Sequence, residues 1–131
     1  MKKSLLVLSI AIVTCLGYAG ASAQNATRIN FARGARSAVV TGSLRGYRDF
    51  RTYIIRVRKG QKMTTQSIGS HHITIDIKAP PGSSYDPDLA ADCHDRHTVE
   101  PTSAGDYRIR VVECQKADAY RGKFSFRVRV R

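Results

Sequence analysis

The strongest constraint on this chain is an alternation of apolar and polar residues near its C-terminal end. Tyr107-Arg108-Ile109-Arg110-Val111 and Phe124-Ser125-Phe126-Arg127-Val128-Arg129-Val130 place an aromatic or aliphatic side chain at every second position, with Arg or Ser between. Successive side chains of an extended strand point to opposite faces, so each run has one dry face and one wet face. The same period recurs in Ile73 to Lys78 and more weakly in Ala38 to Leu44, while Thr52 to Val57 is β-branched and aromatic. All read as strands. Turn-forming residues separate them at Arg58-Lys59-Gly60-Gln61, at 79–84, at 101–106 and at Arg121-Gly122-Lys123. No segment of a dozen residues carries an apolar stripe at helical spacing, although Lys116 to Tyr120 has room for one helical turn. The fold class that follows is all-β: a single-domain antiparallel β-sandwich of about seven or eight short strands, because a lone sheet would leave its apolar face bare. The polar stretch from Ser83 to Pro101 is the least regular and is expected to project as a loop.

The N-terminal residues read differently. Lys2 and Lys3 precede the apolar run Leu5 to Val13, and Ala21-Ser22-Ala23 supplies small residues at a cleavage position. This is the pattern of a secretory signal over residues 1–23, leaving a domain of residues 24–131. The apolar run is shorter than the roughly 20 residues needed to span a bilayer. With 131 residues in all, the chain has room for one core and not for a large cofactor cleft. It also contains no Gly-rich phosphate loop, no Walker-type Lys and no G-x-S-x-G elbow, so neither a common catalytic frame nor a cofactor is predicted.

Cys15 leaves with the signal. Cys93 and Cys114 remain as an even pair, which an oxidising compartment favours joining into a disulfide. The competing reading is a metal or redox pair, since Cys93-His94-Asp95-Arg96-His97 sets a thiol near two imidazoles, but a second C-x-x-C or H-x-x-x-H element is missing. Asp86, Asp88, Asp92 and Asp95 crowd the same stretch without the D-x-D-x-D-G order of a calcium loop. His71 and His72 are adjacent and would point to opposite faces of a strand. No metal ligand is assigned, surface loop is the expectation for all of these, and a small nuclease or metal enzyme ranks last among the functional readings.

Lys and Arg number 22 against 10 Asp and Glu. Planar guanidinium groups pair bidentately with carboxylates and phosphates, and a cationic surface speeds encounter with an acidic partner. For Arg108, Arg110, Arg127 and Arg129 a solvated strand face accounts for the pattern. An exported chain rarely meets nucleic acid, so an acidic protein or an anionic envelope polymer is the expected partner; the oligomeric state is not specified. The turn Arg45-Gly46-Tyr47-Arg48-Asp49-Phe50-Arg51 stands apart. Tyr47 beside a Gly in a charged loop is either an exposed binding anchor flanked by Arg45, Arg48 and Arg51 or a cap over the open end of the sandwich.

Two blocks carry a family resemblance. Ile29-Asn30-Phe31, Arg33-Gly34, Thr41-Gly42-Ser43-Leu44-Arg45-Gly46-Tyr47, Tyr53 and Lys59-Gly60-Gln61-Lys62-Met63 resemble, in order and spacing, the opening strands of the periplasmic inhibitors of goose-type lysozyme. Ala104-Gly105-Asp106-Tyr107-Arg108-Ile109-Arg110-Val111 resembles the G-x-Y-x-[IL]-R-V strand shared by those proteins, the inhibitors of invertebrate-type lysozyme and the pre-peptidase C-terminal β-sandwich domain. The resemblance implies a non-enzymatic exported inhibitor that plugs the acidic substrate groove of a lysozyme. It further implies a partner surface made of Tyr47 with Arg45 and Arg48, the loop carrying Gly105 and Tyr107, and Arg121. Ala104 stands where that loop has Ser. The alternative is an adhesion module of the cell envelope that holds an anionic glycan or lipid.

Overall fold

A computed structural model describes residues 25–69, 72–86, 93, 96–115 and 120–131. Eight strands follow one another: β1 (Thr27–Arg28), β2 (Ser37–Leu44), β3 (Phe50–Val57), β4 (Met63–Ile68), β5 (Ile73–Lys78), β6 (Arg96–Val99), β7 (Gly105–Glu113) and β8 (Gly122–Val130). They form two sheets, ordered β1-β3-β7-β5 and β2-β8-β4-β6, and no helix occurs among the described residues. The two runs with the cleanest alternation, β7 and β8, occupy interior positions, one in each sheet. Their apolar faces meet. Tyr107, Ile109 and Val111 from β7 and Phe126 and Val128 from β8 are fully buried, whereas Arg108, Arg110, Arg127 and Arg129 between them are exposed. Ile73, Ile75, Ile55, Val57 and Met63 complete this core. Burial of side chains this size contributes about 1.5–3 kcal/mol each, which is why the alternating runs decide the architecture.

Aromatic packing near one end of the core sets a local requirement. Tyr53 lies edge-on to Phe126 with ring centroids 5.4 Å apart and to Phe124 at 6.4 Å. A side chain at Gly42 would collide with the Phe124 ring and the Tyr53 hydroxyl, so this β2 position has space only for hydrogen.

Three features differ from the sequence-based expectation. The sandwich is antiparallel except at β1, where Thr27 and Arg28 pair parallel with Tyr53 and Ile54 of β3. Residues 96–99 do not project: they form the edge strand β6, pairing with β4 from Met63↔Val99 to Gln66↔Arg96. His97 is consequently buried and does not belong to a surface loop. A pairing partner far away in sequence, which no local pattern announces, makes this strand. Thr74, finally, is buried on the outer face of β5, where alternation alone leaves it exposed, because the Cys93 N–H donates to its Oγ1 at 2.8 Å. Cys93 and Cys114 are joined in a disulfide with their Cα atoms 4.7 Å apart. The bond pins the Cys93 segment over the end of β5, and the Cys114 N–H donates to the His72 carbonyl at 2.9 Å. The expected helical turn at 116–119, and the positions of His71, His94, Asp88, Asp92 and Asp95, lie outside the described residues.

Candidate functional site: the β2–β3 tip

Tyr47 sits on the turn between β2 and β3 and is 52% exposed. The ring does not cap the sandwich. What holds it out is a network centred on Asp49, whose carboxylate accepts the Arg45 N–H at 2.9 Å, the Phe50 N–H at 3.0 Å and the Arg51 guanidinium at 2.5 Å. The Asp49 N–H donates in turn to the Gly46 carbonyl at 2.9 Å, closing the turn. Gly46 has φ +141°, a left-handed backbone conformation that a side chain would resist, so the closure depends on glycine. The Arg51 hydrogen bond, reinforced by the Arg45 and Phe50 amides, holds the Asp49 carboxyl below the usual carboxylate range against the opposing effect of its partial burial.

The tip is strongly cationic. Arg45 and Arg48 are exposed, and among the described residues neither is ion-paired to a carboxylate. Leu44 pairs with Gly122 at the end of the β2–β8 ladder, so exposed Arg121 enters β8 at the same end of the sheet from which the tip leaves. Arg45 and Arg48 thus flank an exposed phenol ring on a braced turn. The arrangement offers large, rigid contact area together with bidentate carboxylate recognition. It offers no nucleophile or acid–base pair.

Gly105 and Tyr107 do not join this cluster, in contrast to the expectation that their loop helps build the same surface. Gly105 pairs with Val57 at one end of β3, while Phe50 at the other end pairs with Val112 and leads back to the tip. The length of that strand, about 23 Å, separates the two. Tyr107 is moreover fully buried, and its hydroxyl accepts the Ser103 N–H at 2.9 Å. It shapes the far loop from inside. That end is further tied by Thr102, whose hydroxyl donates to the Arg58 carbonyl at 2.6 Å and accepts the Gln61 N–H at 2.9 Å. Asp49 is the tip residue that sequence reasoning passed over. Its only signal was the general preference of Asp for turns, since a bond from the N–H four residues earlier is not an Asx turn. No group of three or more His, Cys, Asp or Glu side chains suited to a metal ion occurs among the described residues.

The architecture has solved counterparts. PliG of Aeromonas hydrophila, a periplasmic inhibitor of g-type lysozyme, superposes with a TM-score of 0.64 at 23% identity, over 81% of this chain and 96% of that one. PliG of Salmonella Typhimurium, likewise an inhibitor of g-type lysozyme, gives 0.58 at 21% identity over 80% and 96%. The pre-peptidase C-terminal domain of a Bacillus anthracis collagenase gives 0.50 at 16% identity over 82% and 96%. This chain shares the fold of the PliG inhibitors. No protein-family model and no curated protein matches the sequence.

Proposed function

We propose that this protein is an exported, non-enzymatic inhibitor that inserts the β2–β3 tip into the substrate groove of a lysozyme, with goose-type enzymes as the first target. The observation that carries the reading is Tyr47, held outward by the Asp49 network and flanked by Arg45 and Arg48 on a fold shared with PliG, with Arg121 proposed as a further contact. A groove lined by carboxylates attracts such a knob electrostatically, and the ring supplies the desolvated contact that excludes the peptidoglycan strand. Gly105 and Tyr107, at the opposite end, shape the scaffold and stay outside the contact. The leader-like N-terminus and the disulfide fit an oxidising, extracytoplasmic compartment such as the periplasm.

Lysis of a peptidoglycan suspension tests this directly. The purified protein at equimolar dose is expected to slow clearing by a goose-type lysozyme. Unchanged clearing with goose-, chicken- and invertebrate-type enzymes alike would end the proposal.

A further inference from the structure

The two outer faces of the sandwich carry arginine in different company. On the face of β3, β7 and β5 the cations are interleaved with acids: the register sets Arg110 beside Asp76 and Arg56 beside Asp106. Arg28 also grips Asp106 with two hydrogen bonds of 3.2 and 3.1 Å, and Arg110 lies 4.4 Å from the centre of the Phe50 ring. Asp106 is held below the ordinary carboxylate range, chiefly by the Arg28 hydrogen bond. Both acids of this face thus lie beside an arginine, although Lys78 and Arg108 are also neighbours there.

On the face of β8, β4 and β6 no strand carries an acidic residue. A groove there is lined by Arg96, Arg127, Arg129, Arg131 and Lys62, with Thr64 and Gln66 along its floor. Arg127 lies beside Gln66, which lies beside Arg96 on the next strand, and Arg129 lies beside Thr64. The carboxylate engaged here is Glu100, 2.8 Å from Lys62 at the rim. Among the described residues no carboxylate is ion-paired to Arg96, Arg127 or Arg129. Arg127, Arg129 and Arg131 follow one another at every second position of one strand end and repel, a cost that an anion laid along the groove relieves.

We infer that this groove is a second binding surface, distinct from the tip, for a linear anionic polysaccharide. Arg127 and Arg129 are two residues apart on one strand, which spaces their side chains by about 7 Å along the groove. A chain that bears acidic groups at intervals can lay one on each guanidinium, and Arg pairs bidentately with sulfate, phosphate or carboxylate. Thr64 and Gln66 between them hydrogen-bond sugar hydroxyls. Among the described residues the groove has no aromatic ring on which nucleic-acid bases could stack, and no apolar side chain lines it to enter a bilayer. Polymer held on this face leaves the tip, at the end of the strands, open.

The full-length protein titrated with dextran sulfate, uncharged dextran, an oligothymidylate and phosphatidylglycerol vesicles tests the assignment. Dextran sulfate is expected to bind and uncharged dextran not to. The double variant Arg127→Gln/Arg129→Gln should weaken dextran sulfate binding by about tenfold and make log K fall less steeply with log salt, by roughly one to two released ions. Arg108→Gln/Arg110→Gln, which removes the same charge from the other face, should leave affinity within about twofold. All four positions are exposed, and circular dichroism verifies that both variants fold. Equal losses in the two double variants, absence of dextran sulfate binding, or tighter binding to the oligothymidylate or the vesicles would overturn the assignment. Lysis inhibition, measured in parallel, is expected to survive Arg127→Gln/Arg129→Gln, so failure here and failure of the inhibitor reading are separable.

Discussion

Tyr47 and Asp49 divide the work of the tip between contact and support. Tyr47→Ala should weaken lysozyme inhibition by about 2–4 kcal/mol, the range of a truncated central anchor, as read from the inhibition constant. Ala104→Arg, at an exposed position on the far loop, should leave it unchanged; the reverse result would move the contact to the Gly105 end. The Asp49 carboxyl titrates below its unfolded value, so its contribution to the folded tip is complete above pH 5 and is lost as the pH falls through its depressed folded value. Amide exchange at Arg45 and Phe50, whose N–H groups donate to that carboxylate, is therefore expected to lose protection on acidification below roughly pH 4. Glu113, at the end of β7, is buried. Both of its carboxylate oxygens are buried and without a hydrogen-bond partner. Replacing it by Leu removes the unsatisfied polar atoms and should raise stability by about 1–3 kcal/mol in denaturant titrations.

Strands were legible in the sequence in proportion to how much of their information is local. β7 and β8 carry hydrophobic side chains at every second residue and occupy interior positions, so pattern and burial coincide. β4, with the sequence MTTQSI, buries Thr65 as well as Met63, and β6 has two inward residues, His97 and Val99. Their strand character comes from cross-strand partners, which periodicity does not encode. The tip was half legible: a Tyr next to Gly among arginines singled out the turn but left an exposed anchor and an end cap both open, and the three-way brace through Asp49 that decides between them is folded geometry. The link from Cys93 to Cys114 closes a loop with a sequence separation of 21. Changing both cysteines to Ser should cost about 3 kcal/mol in unfolding free energy from denaturant titration, with the Tyr47 turn still formed, since the Arg45, Phe50 and Arg51 bonds to Asp49 are local to the turn.

At the scale of the whole molecule, a formal charge of +12 makes encounter with an acidic partner a long-range process. Association with lysozyme is expected to slow by about tenfold or more between low and physiological ionic strength while dissociation changes little, because steering is screened and a desolvated ring contact is not. Surface plasmon resonance across a salt series checks this, and a dissociation rate that rises as steeply as association falls would argue against a buried anchor. The span between the Tyr47 turn and the Arg58–Gln61 turn also bears on how such a molecule can be handled. The latter turn is exposed, locked by Thr102 and directed away from the knob, so a fluorophore, a resin linker or a fused partner attached there would stand clear of an occupied cleft. The domain is in effect a plug that comes with its own grip.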